Sequence, residues 1–164
     1  MKSEVKNYVA PLFITLLLLV LLETFSSAVL PLIGLRDYKL SFNILIILFM
    51  GFKLQTPWLA AILLFIQYFH SFFTVEGWEV GTIAGILVCT TVSYLKEIIH
   101  LTSNTTTIIV VQLFQILWHV IVSVIIYLKM GEAFYIWEKL WRVIPESLAL
   151  SIAAPLLFVV LDRI

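Results

Sequence analysis

The chain has 164 residues, of which 62% are hydrophobic and 12% charged, against about half apolar and about a quarter charged in an ordinary globular domain. A soluble surface cannot be made from this, and the length suits about six membrane-spanning helices of about 20 residues each, in a single integral membrane domain over 1–164. Ten basic and ten acidic residues cancel, so no nucleic-acid partner is indicated, and the one cysteine, Cys89, excludes an internal disulfide and a thiolate metal cluster.

The first apolar segment runs from Tyr8 to Leu30, entered at Pro11 and interrupted by Glu23. Lys2 and Lys6 before Val9–Leu22 resemble a secretory signal, but no small-x-small pattern ends the run and five further apolar segments follow. The second segment, Ser41 to Phe52, is too short at about 1.5 Å per residue to cross about 30 Å of hydrocarbon, which predicts a short, tilted or half-buried helix. Thr56 and Pro57 open the third, Trp58 to Phe73, and Glu76-Gly77 makes a tight turn into the fourth, Trp78 to Leu95. The polar stretch HLTSNTT precedes the fifth and cleanest span, Thr107 to Leu128, and the sixth runs from Pro145, a favourable first helical position, to Leu161. Asn104-Thr105-Thr106 is a glycosylation sequon only in a secretory-pathway protein.

Between the last two spans, Phe134, Tyr135, Trp137 and Trp141 alternate with Glu132, Glu138, Lys139 and Arg142. This reads as a separate interfacial helix, either an aromatic belt that anchors the loop or a docking surface for a partner protein. With six spans and cytoplasmic termini, Lys2, Lys6, Lys53, Lys96 and Arg163 lie inside, while Arg36, Lys39, Lys129, Lys139 and Arg142 lie outside. The positive-inside rule therefore decides nothing.

Two intramembrane patterns stand out. Gly77, Gly81, Gly85, Cys89 and Ser93 recur every four residues in the fourth span and share one face, a ridge for close helix packing within the bundle or against a partner's helix. Gln112, Gln115, His119 and Ser123, continued by Tyr127, make a polar stripe along the fifth span. Such a stripe either hydrogen-bonds to neighbouring helices or lines a substrate or proton path, and Glu23 joins it as an intramembrane carboxylate, unless its place near one end of its helix lets it reach the interface. His70, beside Gln67 and Ser71, and His100 at a helix end read as hydrogen-bonding core or interface residues. No HxxxH, HExxH, GxSxG or phosphate-cradling glycine loop occurs, so neither catalytic residues nor a metal or cofactor is expected.

In their order these segments resemble the MreD family, small inner-membrane proteins of the bacterial cell-elongation machinery. The resemblance covers most of the chain and rests on three features. These are the short second segment FNILIILFMGF with Asn43, the close third–fourth hairpin followed by a glycine-containing span, and the last helix ESLALSIAAPLLFVVLDRI with its central Pro155. Where that family carries a GFxxGLxxD-like pattern in its third span, this chain has AAILLFIQYFHSFF. The resemblance implies an all-α bundle similar to the substrate-capture subunits of vitamin-uptake transporters. It further implies a non-enzymatic subunit acting by contact with an MreC-like bitopic protein, a SEDS glycosyltransferase and a class B penicillin-binding protein, with both termini cytoplasmic. The alternative is a substrate-binding subunit of such a transporter, with Glu23, Gln112, Gln115 and His119 converging on a ligand.

Overall fold

In a computed structural model of the chain, residues 2–34, 38–53, 59–74, 77–96, 103–131 and 133–163 are described, the side chains of 2–10, 130 and 133–140 excepted. These residues form six helices: α1 (Lys2–Leu32), α2 (Phe42–Lys53), α3 (Leu59–Ser71), α4 (Trp78–Leu95), α5 (Asn104–Met130) and α6 (Ala133–Leu161). Four stretches are long and apolar enough to cross a membrane: Pro11–Leu32, Trp78–Leu95, Asn104–Lys129 and Trp141–Leu161. This is the build of a helical membrane protein, and its lipid contact follows from side chains such as Phe13, Leu113 and Leu156, which point outward.

The short second helix is the core. Its 12 residues rise only about 18 Å, yet Ile44 to Leu48 are wholly inaccessible, and α2 packs against all five of the other helices. A helix that is apolar on every side is buried on every side, so α2 need not match the bilayer; the tilted or half-buried helix expected from its length is instead an enclosed one. Around it α1, α3, α4, α5 and α6 follow in that order, each touching the next.

Two element boundaries differ from the sequence reading. The interfacial segment and the last span form one unbroken helix, α6, with Pro145 and Pro155 inside it. Proline costs a helix one backbone hydrogen bond and a steric clash, and here the packing of α6 on α5 and α2 carries the helix through both positions. Likewise α1 begins well before Pro11, which lies within it. Helix ends are otherwise conventional. Ser103 caps α5 by accepting from the Thr106 amide, and Gly131, at a φ of 73°, closes it with its own N–H on the Tyr127 carbonyl.

Ion pairs at two ends mark helix direction: α2 and α6 finish together, and α5 finishes where α4 begins. Lys53 at the end of α2 meets Asp162 just past α6 at 2.5 Å, and Lys129 at the end of α5 meets Glu79 at the start of α4 at 3.7 Å.

Candidate functional site

The polar stripe of α5 is met by two serines of α6 that the sequence reading did not single out. Gln115 Nε2 donates to Ser151 Oγ (3.0 Å), Ser151 Oγ donates to Gln112 Oε1 (2.8 Å), and Gln112 Nε2 donates to Ser147 Oγ (2.9 Å). Ser147 Oγ in turn donates to the Ile144 carbonyl at 3.0 Å. Each hydroxyl accepts one bond and gives the next, so the seam is a directed chain in which every link polarises its neighbours. Only Gln115 Oε1 is left without a partner there. His119 and Ser123, half-buried one and two turns further along, make no hydrogen bond among the described residues, and Tyr127 is exposed. The stripe therefore divides into a bonded half and an unbonded half. A signal for it was present in the sequence, since Ser147 and Ser151 stand four apart in the last span, as small hydrogen-bonding residues at a helix seam would.

Glu23 belongs to neither half. It sits near the midpoint of the Pro11–Leu32 stretch, not at an end, and is 0% exposed. Its Oε1 lies 3.1 Å from Nδ1 of His70 on α3, itself buried. The structure thus separates Glu23 from the Gln112–Gln115 stripe with which it was grouped and pairs it with a histidine read as a core residue. A single intramembrane carboxylate in a sequence has no visible partner until packing supplies one.

The ridge of α4 is used along its middle only. Gly85 is buried, and a Cβ there would lie 3.6 Å from the Trp118 ring and 3.7 Å from Ile47. At Gly81 a Cβ would collide with the side-chain amide of Gln67. Cys89 is buried with its Sγ 3.6 Å from the Ile47 carbonyl, and it faces Gly51 of α2, where any Cβ would meet that sulfur at 3.2 Å. The two ends of the ladder do not take part: Gly77 caps α4 at a φ of 77° with open space around it, and Ser93 is exposed.

At the head of α2 the non-helical residues Tyr38 to Ser41 dip among the helices. Backbone amides inside a membrane protein need partners, and side chains of two other helices supply them: Leu40 N–H donates to Ser26 Oγ (3.0 Å) and Lys39 N–H to Glu146 Oε1 (2.9 Å). Burial holds the Lys39 ammonium below the ordinary lysine range, against the opposing pull of the Glu23 and Glu146 carboxylates. Of the aromatic residues read as an interfacial group, Trp141 is exposed, whereas the side chains of Phe134, Tyr135 and Trp137 lie outside the described residues. Among the described residues no three His, Cys, Asp or Glu side chains come together.

No family model, curated protein or solved structure matches the chain.

Proposed function

We propose that the chain is a membrane subunit that works by protein–protein contact and carries out no reaction of its own, in the bacterial inner membrane with both termini cytoplasmic. The observation that supports this reading is the α5–α6 seam. The side chains best placed to greet a substrate, Gln112 and Gln115, instead tie α5 to Ser147 and Ser151 of α6, as polar groups at a helix seam do, and of their oxygens Gln115 Oε1 alone stays unpaired among the described residues. The resemblance to the MreD family supplies the partners: an MreC-like bitopic protein and, through it, a SEDS glycosyltransferase and a class B penicillin-binding protein that build peptidoglycan during elongation. The role is to hold that assembly in the membrane.

The test is capture of the tagged chain from native membranes together with deletion of its gene. The MreC-like protein should co-purify, and cells lacking the chain should lose their rod shape. Reporter fusions at Ile164 and near Gly131 should give opposite signals. Co-purification of an ATPase pair with a transport scaffold, in cells whose shape survives the deletion, would overturn the proposal in favour of a vitamin-type uptake subunit. One observation favours that second reading: the unspent hydrogen-bonding atoms around Glu23.

A further inference from the structure

Among the described residues, five buried side-chain atoms outside the α5–α6 seam have no hydrogen-bond partner: both carboxylate oxygens of Glu23, Asn43 Oδ1, Gln67 Nε2 and His70 Nδ1. Their residues are each at least nine-tenths buried. The contacts of their helices place them in one layer. Ser26 of α1 bonds Leu40 just ahead of α2, and the two helices run in opposite directions. Three residues back along α1 and three residues on along the chain, Glu23 therefore stands opposite Asn43. Gly85 of α4 faces Ile47 of α2, and these two helices run the same way, so one turn earlier Gly81 is level with Asn43. The Gln67 amide rests on Gly81, and His70, three residues further on the same face of α3, returns to Glu23 at 3.1 Å.

We propose that this layer binds one monovalent cation, a proton or a sodium ion, at Glu23 between α1, α2 and α3. A carboxylate shut away from water and without hydrogen bonds demands a compensating positive charge. Among the described residues, the charged and titratable groups that the packed elements turn toward it are few. α3 offers His70, the α1–α2 connection offers a half-buried Lys39, whose one ammonium is drawn by both Glu23 and Glu146 of α6 and so answers two carboxylates, and α2 carries only Lys53 at its far end. On α4 the one carboxylate, Glu79, is exposed and paired with Lys129. His70 Nδ1 stands 3.1 Å from Glu23 Oε1, a separation that a proton held by either group would turn into a hydrogen bond, while the oxygens of Glu23 and Asn43 are the hard donors a sodium ion takes in membrane proteins, beside a broken or shortened helix. Burial deepens along the chain into the layer: Tyr38 is exposed, Lys39 and Leu40 are half-buried, and Asn43 is closed off. The site holds whichever proteins the chain contacts, since it lies inside one chain and is read without them.

The experiment compares the purified full chain with Glu23→Gln and His70→Gln in detergent. Thermal stability is measured in sodium chloride and in choline chloride of equal ionic strength, and infrared spectra report carboxylic-acid and imidazolium bands. If sodium is the occupant, tenfold excess over its Kd should raise Tm by about 3 °C, and Glu23→Gln should abolish the rise. If the proton is the occupant, sodium should have no effect and one of the two bands should be present, then vanish in Glu23→Gln or His70→Gln. Should Glu23→Gln fail to fold, His70→Gln keeps the carboxylate and removes the imidazole, so the protein should either respond to sodium or show the carboxylic-acid band. A wild-type protein indifferent to sodium, with Glu23 ionised beside a neutral imidazole, would overturn the proposal, as would a His70→Gln protein that neither responds to sodium nor shows that band. Neither result touches the co-purification on which the partner reading depends.

Discussion

The α5–α6 seam and the Glu23 layer are both polar and both enclosed, yet they are built on opposite terms. Along the seam, neutral amides and hydroxyls exchange bonds until one acceptor, Gln115 Oε1, is left over. In the layer, a carboxylate and an imidazole face each other at 3.1 Å with amides around them whose capacity is unspent. Hydrogen-bonded neutral groups hold helices together at modest gain, whereas a buried ionisable group left short of partners is costly and is kept for a purpose. The contrast separates a structural seam from a binding site more sharply than either pattern does alone.

The largest effect should come from removing one member of the buried pair. His70→Leu leaves the Glu23 carboxylate without its nearest partner and should cost about 3–5 kcal/mol of stability, and replacing both residues by leucine should recover much of it. Unfolding in detergent with a double-mutant cycle measures the difference. An additive cycle would show that the two side chains are independent and would dissolve the contrast.

Next come the glycines between the regions. Gly85→Leu has to push its side chain into Trp118 and Ile47, and Gly81→Leu has to displace Gln67 from the layer, each at about 1–3 kcal/mol. Gly81→Leu should in addition alter the response to sodium or the infrared bands, which Gly85→Leu should leave unchanged. Ser93→Leu, on the exposed end of the same ladder, should change the yield of folded protein little.

On the seam, Gln115→Leu removes the bond to Ser151 and should lower stability by about 0.6 kcal/mol and at most about 1.7. His119→Leu, which breaks no hydrogen bond, should cost less still. If Gln115→Leu proves as damaging as His70→Leu, the two regions are energetically alike. The smallest effect belongs to the exposed pair Lys53–Asp162, where Asp162→Asn should change stability by about 0–1 kcal/mol and less in high salt.

Much of the helix layout was legible as apolar runs between polar breaks. Trp78–Leu95 is the same in sequence and structure, and Asn104–Met130 extends the expected span by about a turn. The boundary at Pro145 was missed because proline is a favourable helix start when nothing else is known, and only the flanking helices show that α6 continues through it. In the short segment Ser41–Phe52, the absence of any polar face on FNILIILF, more than its length, is the mark of an enclosed helix.

By itself the sequence determined the solvent of this protein and the spacing of its helices, because the apolar content and run lengths of a chain are local quantities that lipid and water read directly. It also determined which side chains share a face of one helix, since 3.6 residues per turn brings Gln112 and Gln115 to one stripe and Gly81, Gly85 and Cys89 to another. Only the tertiary structure decided what those faces meet. That α2 is enclosed, that Ser147 and Ser151 take up one half of the α5 stripe, and that Glu23 is answered by His70 are matters of contact between residues from 35 to 47 positions apart, for the α5–α6 bonds and the carboxylate–imidazole pair alike. No periodicity within a helix encodes the neighbour it will have, because helix packing is set by the shapes of two surfaces at once.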